Sequence, residues 1–107
     1  MVTCIFIDID GQLSEVDVDL DPNTLTGGYR PFLGNKPTFV GKTIVCENPL
    51  TELIWVMGDG PNPLNNFKFP KEFAEEQIRG PVIVTKLNDQ CEPENLSMNE
   101  FINTSNF

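Results

Sequence analysis

The sequence predicts a single small α+β domain, built on a mixed, mainly antiparallel sheet of about five strands with two short helices. Three observations predict it. Asp10-Gly11 lies between two β-rich runs, and this dipeptide tolerates the positive φ angles of a tight hairpin turn. Three later apolar runs, 42–47, 52–57 and 82–87, have the length of strands and are bounded by Gly, Pro and Asn. Two helix signals stand apart from them, a Pro-initiated stretch near 70–79 and a capping box opening 97–103.

The first element is a hairpin over 2–20. With Asp10 and Gly11 as a two-residue turn, Ile9 opposes Gln12, Ile7 opposes Ser14, Ile5 opposes Val16 and Thr3 opposes Val18. One face then carries Ile5, Ile7, Val16 and Val18. The other carries Cys4, Phe6, Asp8, Leu13, Glu15 and Asp17. A slip of one residue would turn the carboxylates toward the core, so pattern and turn agree on this register.

Asp21-Pro22-Asn23 and Gly27-Gly28 punctuate the link that follows, and Tyr29 to Asn35 reads as an ordered loop whose aromatic residues cap the core edge. Thr38-Phe39-Val40 leads into the strand 42–47, the turn Asn48-Pro49 and the strand 52–57. Both of these strands are apolar on both faces, which places the pair at the centre of the sheet and the acidic hairpin at its periphery. Trp55 is expected in the core.

Residues 58–66 form a loop stiffened by Pro61 and Pro63, and its Asn62, Asn65 and Asn66 offer amides for directional hydrogen bonds. Pro70 then starts a helix that Gly80 ends, with Phe73, Ala74 and Ile78 inward and Glu72, Glu75 and Glu76 outward. The last strand, 82–87, precedes an acidic loop over 88–95. Ser97 and Glu100 form the capping box of the C-terminal helix, with Leu96 and Phe101 as its hydrophobic staple.

At 107 residues the chain can bury about two thirds of its unfolded surface without metal or disulfide. Its 39% apolar content, nine prolines and eight glycines fit a turn-rich globular domain. There is no apolar run long enough for a membrane span and no basic-then-apolar signal segment, so a cytoplasmic protein away from membranes is expected. The three cysteines have no metal-site spacing. Cys4 and Cys46 lie in apolar strands and are expected buried and reduced, while Cys91 lies in a polar loop.

Charge is the strongest global clue. The net charge is −9, and residues 1–29 hold six acids and no base, as residues 88–107 hold four acids and no base. Such a surface repels phosphate, which disfavours direct nucleic-acid binding, and attracts a basic protein. The alternative is that the acids only keep a small domain dispersed. The chain has no histidine, which removes the usual neutral-pH base, the Ser-His and Cys-His pairs and the commonest zinc ligand. No cofactor is expected.

Cys4 to Gly11, CIFIDIDG, resembles motif I of the haloacid-dehalogenase phosphatases, an apolar strand ending in Asp-x-Asp-Gly. That resemblance would make Asp8 the nucleophile, Asp10 the proton donor and Asp59 a magnesium ligand. It is set aside because that family needs a longer doubly wound domain. Here the motif runs into a second alternating strand, and soon after Asp59, where a second acid would be wanted, stand Pro61, Asn62 and Pro63. A second resemblance spans about Ile5 to Phe101. The Asn62 to Leu64 loop, the stretch Pro70 to Ile78 and the strand after Gly80 are similar to small uncharacterised domains encoded by phages and large DNA viruses. It implies an accessory protein of a virus or mobile element, present in the host cytoplasm or the virion, and no site residue follows from it.

The expected function is therefore a non-enzymatic protein–protein interaction module. Its candidate partner-binding residues are Asp8, Asp10, Glu15, Asp17, Asp19, Asn62, Asn65 and Asn66. The alternatives are an acidic DNA-mimicking inhibitor of a host nucleic-acid-binding protein and a metal-dependent phosphatase-like enzyme using Asp8, Asp10 and Asp59. Sheet edges leave a monomer or a homodimer open.

Overall fold

The structure is a computed structural model and describes residues 1–20, 27–58 and 60–104. Its framework is one six-stranded antiparallel sheet. Strand β1 (Val2–Ile7) pairs with β2 (Leu13–Val18), and a 3-10 turn (Gly27–Tyr29) runs into the short helix α1 (Arg30–Leu33). Strands β3 (Thr38–Glu47) and β4 (Leu50–Met57) follow, then a 3-10 turn at Lys71–Phe73, β5 (Val82–Leu87), β6 (Pro93–Glu94) and the helix α2 (Met98–Thr104). The strand order is β2-β1-β5-β4-β3, with β6 also paired to β5. No helix among the described residues is long and apolar enough to cross a membrane.

The α+β class and the mainly antiparallel sheet agree with the sequence reading, and the strand placements are close to those expected. The order within the sheet differs. Strand β5 is central and β3 is an edge, so the pair 42–47 and 52–57 is not the middle of the sheet. Val82, Ile83, Val84 and Thr85 are all buried, a run of four that only a strand covered on both faces sustains. In β3, Phe39 is 59% exposed and Ile44 is 61% exposed, as fits an edge strand. Cys46 is exposed on the same edge rather than buried, while Cys4 is fully buried as expected.

The hairpin register is one residue away from the sequence prediction. Ile7 pairs with Leu13, Ile5 with Glu15 and Cys4 with Val16. The turn is longer than Asp10-Gly11 alone, because Asp8 N–H donates to Gln12 O at 3.0 Å and Gly11 N–H donates to Asp8 O at 2.9 Å. The Asp8 carboxylate fixes this form by accepting the N–H groups of Asp10 (2.9 Å) and Gln12 (3.1 Å). Gly11 takes a φ of +86°, the left-handed residue that closes a three-residue hairpin loop. Val16 and Val18 therefore lie with Cys4 rather than with Ile5 and Ile7. Glu15 and Asp17 share the other face, tolerated because β2 is an edge where both stay exposed.

Each face of the sheet has its own core. Ile5, Ile7, Leu53, Trp55, Val82 and Val84 pack beneath Phe73, Ile78, Leu96 and Phe101. Trp55 is the hub of this side: its ring meets Phe69, Phe73 and Phe101 at centroid distances of 6.0, 5.6 and 5.7 Å, and its Nε1–H donates to Thr43 Oγ1 at 3.1 Å. On the opposite face Cys4, Val18, Val56 and Ile83 pack against Tyr29 and Leu33.

The stretch expected as a helix over 70–79 forms only the 3-10 turn Lys71–Phe73. Ile78 N-terminal to Arg79 turns back instead to the preceding loop: Ile78 O accepts Asn65 N–H and Arg79 bridges to Leu64. Phe73 and Ile78 are buried as expected, while Ala74, expected beside them, is exposed because no helix forms to bring the three onto one face. At the C-terminus one half of the capping box forms, with Glu100 N–H donating to Ser97 Oγ at 3.1 Å, and Leu96 and Phe101 are both buried. The Glu100 carboxylate does not reach back to the cap. It takes the Lys86 ammonium, 2.9 Å from Oε1 and 3.2 Å from Oε2.

Candidate functional site

The sequence candidates separate into two places. Asp8, Asp10, Asn65 and Asn66 come together where the β1–β2 turn meets the 60–67 loop. The Asn65 side chain holds that junction, its Nδ2 donating to Asp8 O (3.0 Å) and to Gly80 O (2.8 Å) while its Oδ1 accepts Phe67 N–H (2.8 Å). Asn66 N–H donates to Ile9 O at 3.0 Å, and a Cβ on Gly11 would stand 3.1 Å from Phe67 N. Asp8 and Asn65 thus work inside the fold. Asn62 is half-buried with its carbonyl accepting Arg79 Nη1–H at 3.3 Å, which leaves Asp10 and Asn66 as the exposed side chains of this corner.

The second place is the outer strand. Glu15, Asp17 and Asp19 are exposed along and just beyond β2. Glu15 Oε2 accepts Met98 N–H at 2.6 Å and ties β2 to the start of α2, so it too is structural. One oxygen of Asp17 accepts Thr3 Oγ1–H at 3.2 Å. Neither of the ion pairs Lys42–Glu52 and Lys86–Glu100 touches this edge.

Where β2 ends, the 3-10 turn folds over it and leaves an open cleft of about 490 Å³ lined by Met1, Asp17, Asp19, Gly27, Gly28, Pro31 and Phe32. Gly28 allows this closure: a Cβ there would stand 2.0 Å from Asp19 O. The turn and α1 are held from beneath. Phe32 lies against Phe6 with ring centroids 6.1 Å apart, and Tyr29 Oη is 2.8 Å from Thr85 Oγ1 in the buried layer. Thr85 Oγ1 is also 3.4 Å from Cys4 Sγ. Burial pushes the Tyr29 phenol up to about 12, partly offset by the Thr85 hydrogen bond, and raises Cys4 above the usual thiol range for the same reason. Both groups stay neutral and anchor the turn.

Asp59 lies outside the described residues. Asp8 has committed one oxygen to two backbone N–H groups, and Asp10 is exposed at the hairpin tip. Among the described residues no group of three or more Cys, Asp or Glu side chains converges as a metal site would require. The sequence reading missed the cleft and the Tyr29–Thr85–Cys4 contact. Gly27-Gly28 signalled a tight turn, but nothing in the chain said that it would close on Asp19.

The chain belongs to the DUF5880 family, a family of unknown function that matches it over residues 5–104. No curated protein and no solved structure matches it. The family match runs from the middle of β1 to the end of α2, and it assigns no activity.

Proposed function

We propose that this DUF5880 chain is a non-enzymatic interaction module that docks a basic protein through the acidic edge of its sheet. One observation carries the reading: among the described residues β2 is paired on one side only, and Asp10, Asp17 and Asp19 are exposed at its two ends, apart from the ion pairs Lys42–Glu52 and Lys86–Glu100. An uncompensated row of one sign steers and orients a partner of the other sign. Charge on an open edge also opposes strand addition, so the partner meets side chains here rather than extending the sheet. The resemblance to small domains of phages and large DNA viruses supports an accessory role in an infected cell or a particle.

The test is capture of the tagged protein from nuclease-treated lysate of its source, compared with the triple variant Asp10→Asn, Asp17→Asn, Asp19→Asn. A stoichiometric partner is expected at low salt, and it should be lost at moderate salt and with the triple variant. Retention of the same partner by the triple variant, or recovery of the bait alone beside a working control, rejects the reading. A partner displaced by added DNA would move it to a DNA-mimicking inhibitor.

A further inference from the structure

The two edges of the sheet are unlike. β2 carries Glu15 and Asp17, with Asp19 just beyond it, and two such edges repel one another. β3 is the other edge, unpaired on its outer side among the described residues, and residues 30–57 around it hold three bases and two acids. Ile44 within it and Leu50 just past its turn are exposed apolar side chains.

The β3–β4 register sets which side chains share a face. Lys42 stands opposite Ile54, Ile44 opposite Glu52 and Glu47 opposite Leu50, alternate positions of β4 that lie on one face of the sheet. The bulge between Ile44 and Cys46 makes this possible, since in a regular strand Lys42 and Glu47 would point to opposite faces. Thr43 goes the other way, to the Trp55 Nε1–H. One face of the edge thus reads Lys42, Ile44, Glu47, a cation and an anion on either side of an exposed apolar residue. Turned about a two-fold axis, that row is its own complement, with Lys42 against the partner's Glu47 and Ile44 at the centre.

We propose that the β3 edge is a homodimer interface, at which a second copy of this chain adds antiparallel across 42–47. Lys42 has donors to spare: its ammonium lies 3.1 Å from Glu52 Oε2, and its side chain is still 63% exposed. Pairing of like edges also closes, whereas β2 against β3 would run on head to tail. The contact is one strand long, at the small end of specific interfaces, so the dimer is weak. It leaves the acidic β2 strands at the two outer ends of one continuous sheet, each open to a basic partner, and does not depend on that docking.

The experiment is sedimentation equilibrium of the full chain under reducing conditions, which keep the exposed Cys46 from cross-linking, with amide NMR over the same dilution series. A reversible monomer–dimer equilibrium is expected below about 1 mM, with dilution shifts concentrated in 42–47. Ile44→Lys, a change at an exposed side chain, should leave a monomer. Glu47→Lys sets like charges opposite each other at two symmetric places and should weaken the dimer about tenfold at low salt. Leu64→Lys, also at an exposed side chain but beside Asn65 at the β1–β2 turn, should leave the equilibrium unchanged. A monomer at every concentration overturns the proposal, as do a dimer that survives Ile44→Lys, dilution shifts gathered on β2 or α2, or growth beyond a dimer. Should Ile44→Lys fail to fold, Glu47→Lys and the dilution shifts of the unaltered chain decide.

Discussion

Asn88 occupies in the β5–β6 hairpin the position that Asp8 occupies in the β1–β2 hairpin. Each accepts, on its side-chain Oδ1, the N–H groups two and four residues on: Asp10 and Gln12 for Asp8 at 2.9 and 3.1 Å, Gln90 and Glu92 for Asn88 at 2.9 Å each. Each also closes the same main-chain ladder, with Asn88 N–H donating to Glu92 O and Cys91 N–H to Asn88 O, both at 3.0 Å. The third and last residue of each loop is left-handed, Gly11 at +86° in the first and Cys91 at +61° in the second. The acidic loop of the sequence reading is thus a second hairpin turn, and the Asp-x-Asp-Gly run that resembles a catalytic motif carries a turn.

This pairing predicts opposite outcomes at the two left-handed positions. A cysteine in that region carries a strain of about 1 kcal/mol that glycine lacks, so Cys91→Gly should raise stability by ~0.5–1 kcal/mol in urea unfolding. Gly11→Ala should lower it by about 1–2 kcal/mol, since the new Cβ meets the Phe67 main chain as well as the unfavourable φ. A loss on Cys91→Gly would mean that the thiol has a role the turn does not explain.

Asn65→Ala should cost about 2–3 kcal/mol, because the Asp8 and Gly80 carbonyls and the Phe67 N–H all lose a partner in a half-buried junction. Amide exchange should accelerate at Phe67 and Asn66 first, while the β4–β5 ladder stays protected. Uniform acceleration would show that the junction unfolds only with the whole molecule.

Tyr29 is the only tyrosine, so its ionisation can be followed by ultraviolet absorbance without overlap from another phenol. Its folded value near 12 lies above the unfolded value of 10, so the folded state binds the proton more tightly. The associated stability is fully present below pH 10 and is lost as the pH rises from 10 through about 12; the gap corresponds to ~3 kcal/mol. Phenolate absorbance should therefore appear with loss of structure rather than before it. Titration near 10 with the fold intact would place the ring in solvent.

Gly28→Ala tests the seat of the cleft. A Cβ 2.0 Å from Asp19 O cannot be accommodated by a side-chain rotation, so the turn must lift from β2 at a cost of about 2 kcal/mol or more. Chemical shifts of Tyr29 and Phe32 should move while those of Trp55 and Phe101, on the other face, stay in place. Unchanged shifts throughout would show that the turn does not rest on Asp19.

Phe101→Ala removes a ring that Trp55 and Phe67 both contact, 1% exposed in the larger core, and should cost about 3–5 kcal/mol by thermal or urea unfolding. A loss below 1 kcal/mol would mean that α2 is not part of the cooperative core.

The sequence by itself determined which residues are apolar partners, where the strands lie and how α2 begins. These are local matters: a β-branched run such as Val82–Thr85, or Ser97 three residues before Glu100, has one favourable conformation whatever surrounds it. The tertiary structure alone decided register, strand order and which acids remain free. Register moved by one because the Asp8 side chain can close the turn and a dipeptide rule does not see it. Strand β5 took the centre over β3 because both candidates are apolar, and only packing from α1 on one face and Phe73 and α2 on the other chooses between them. Glu15 went to α2, Asp8 to its own loop and Asp17 to Thr3. Contacts between segments far apart in the chain make those choices, and no short window of sequence contains both sides of them.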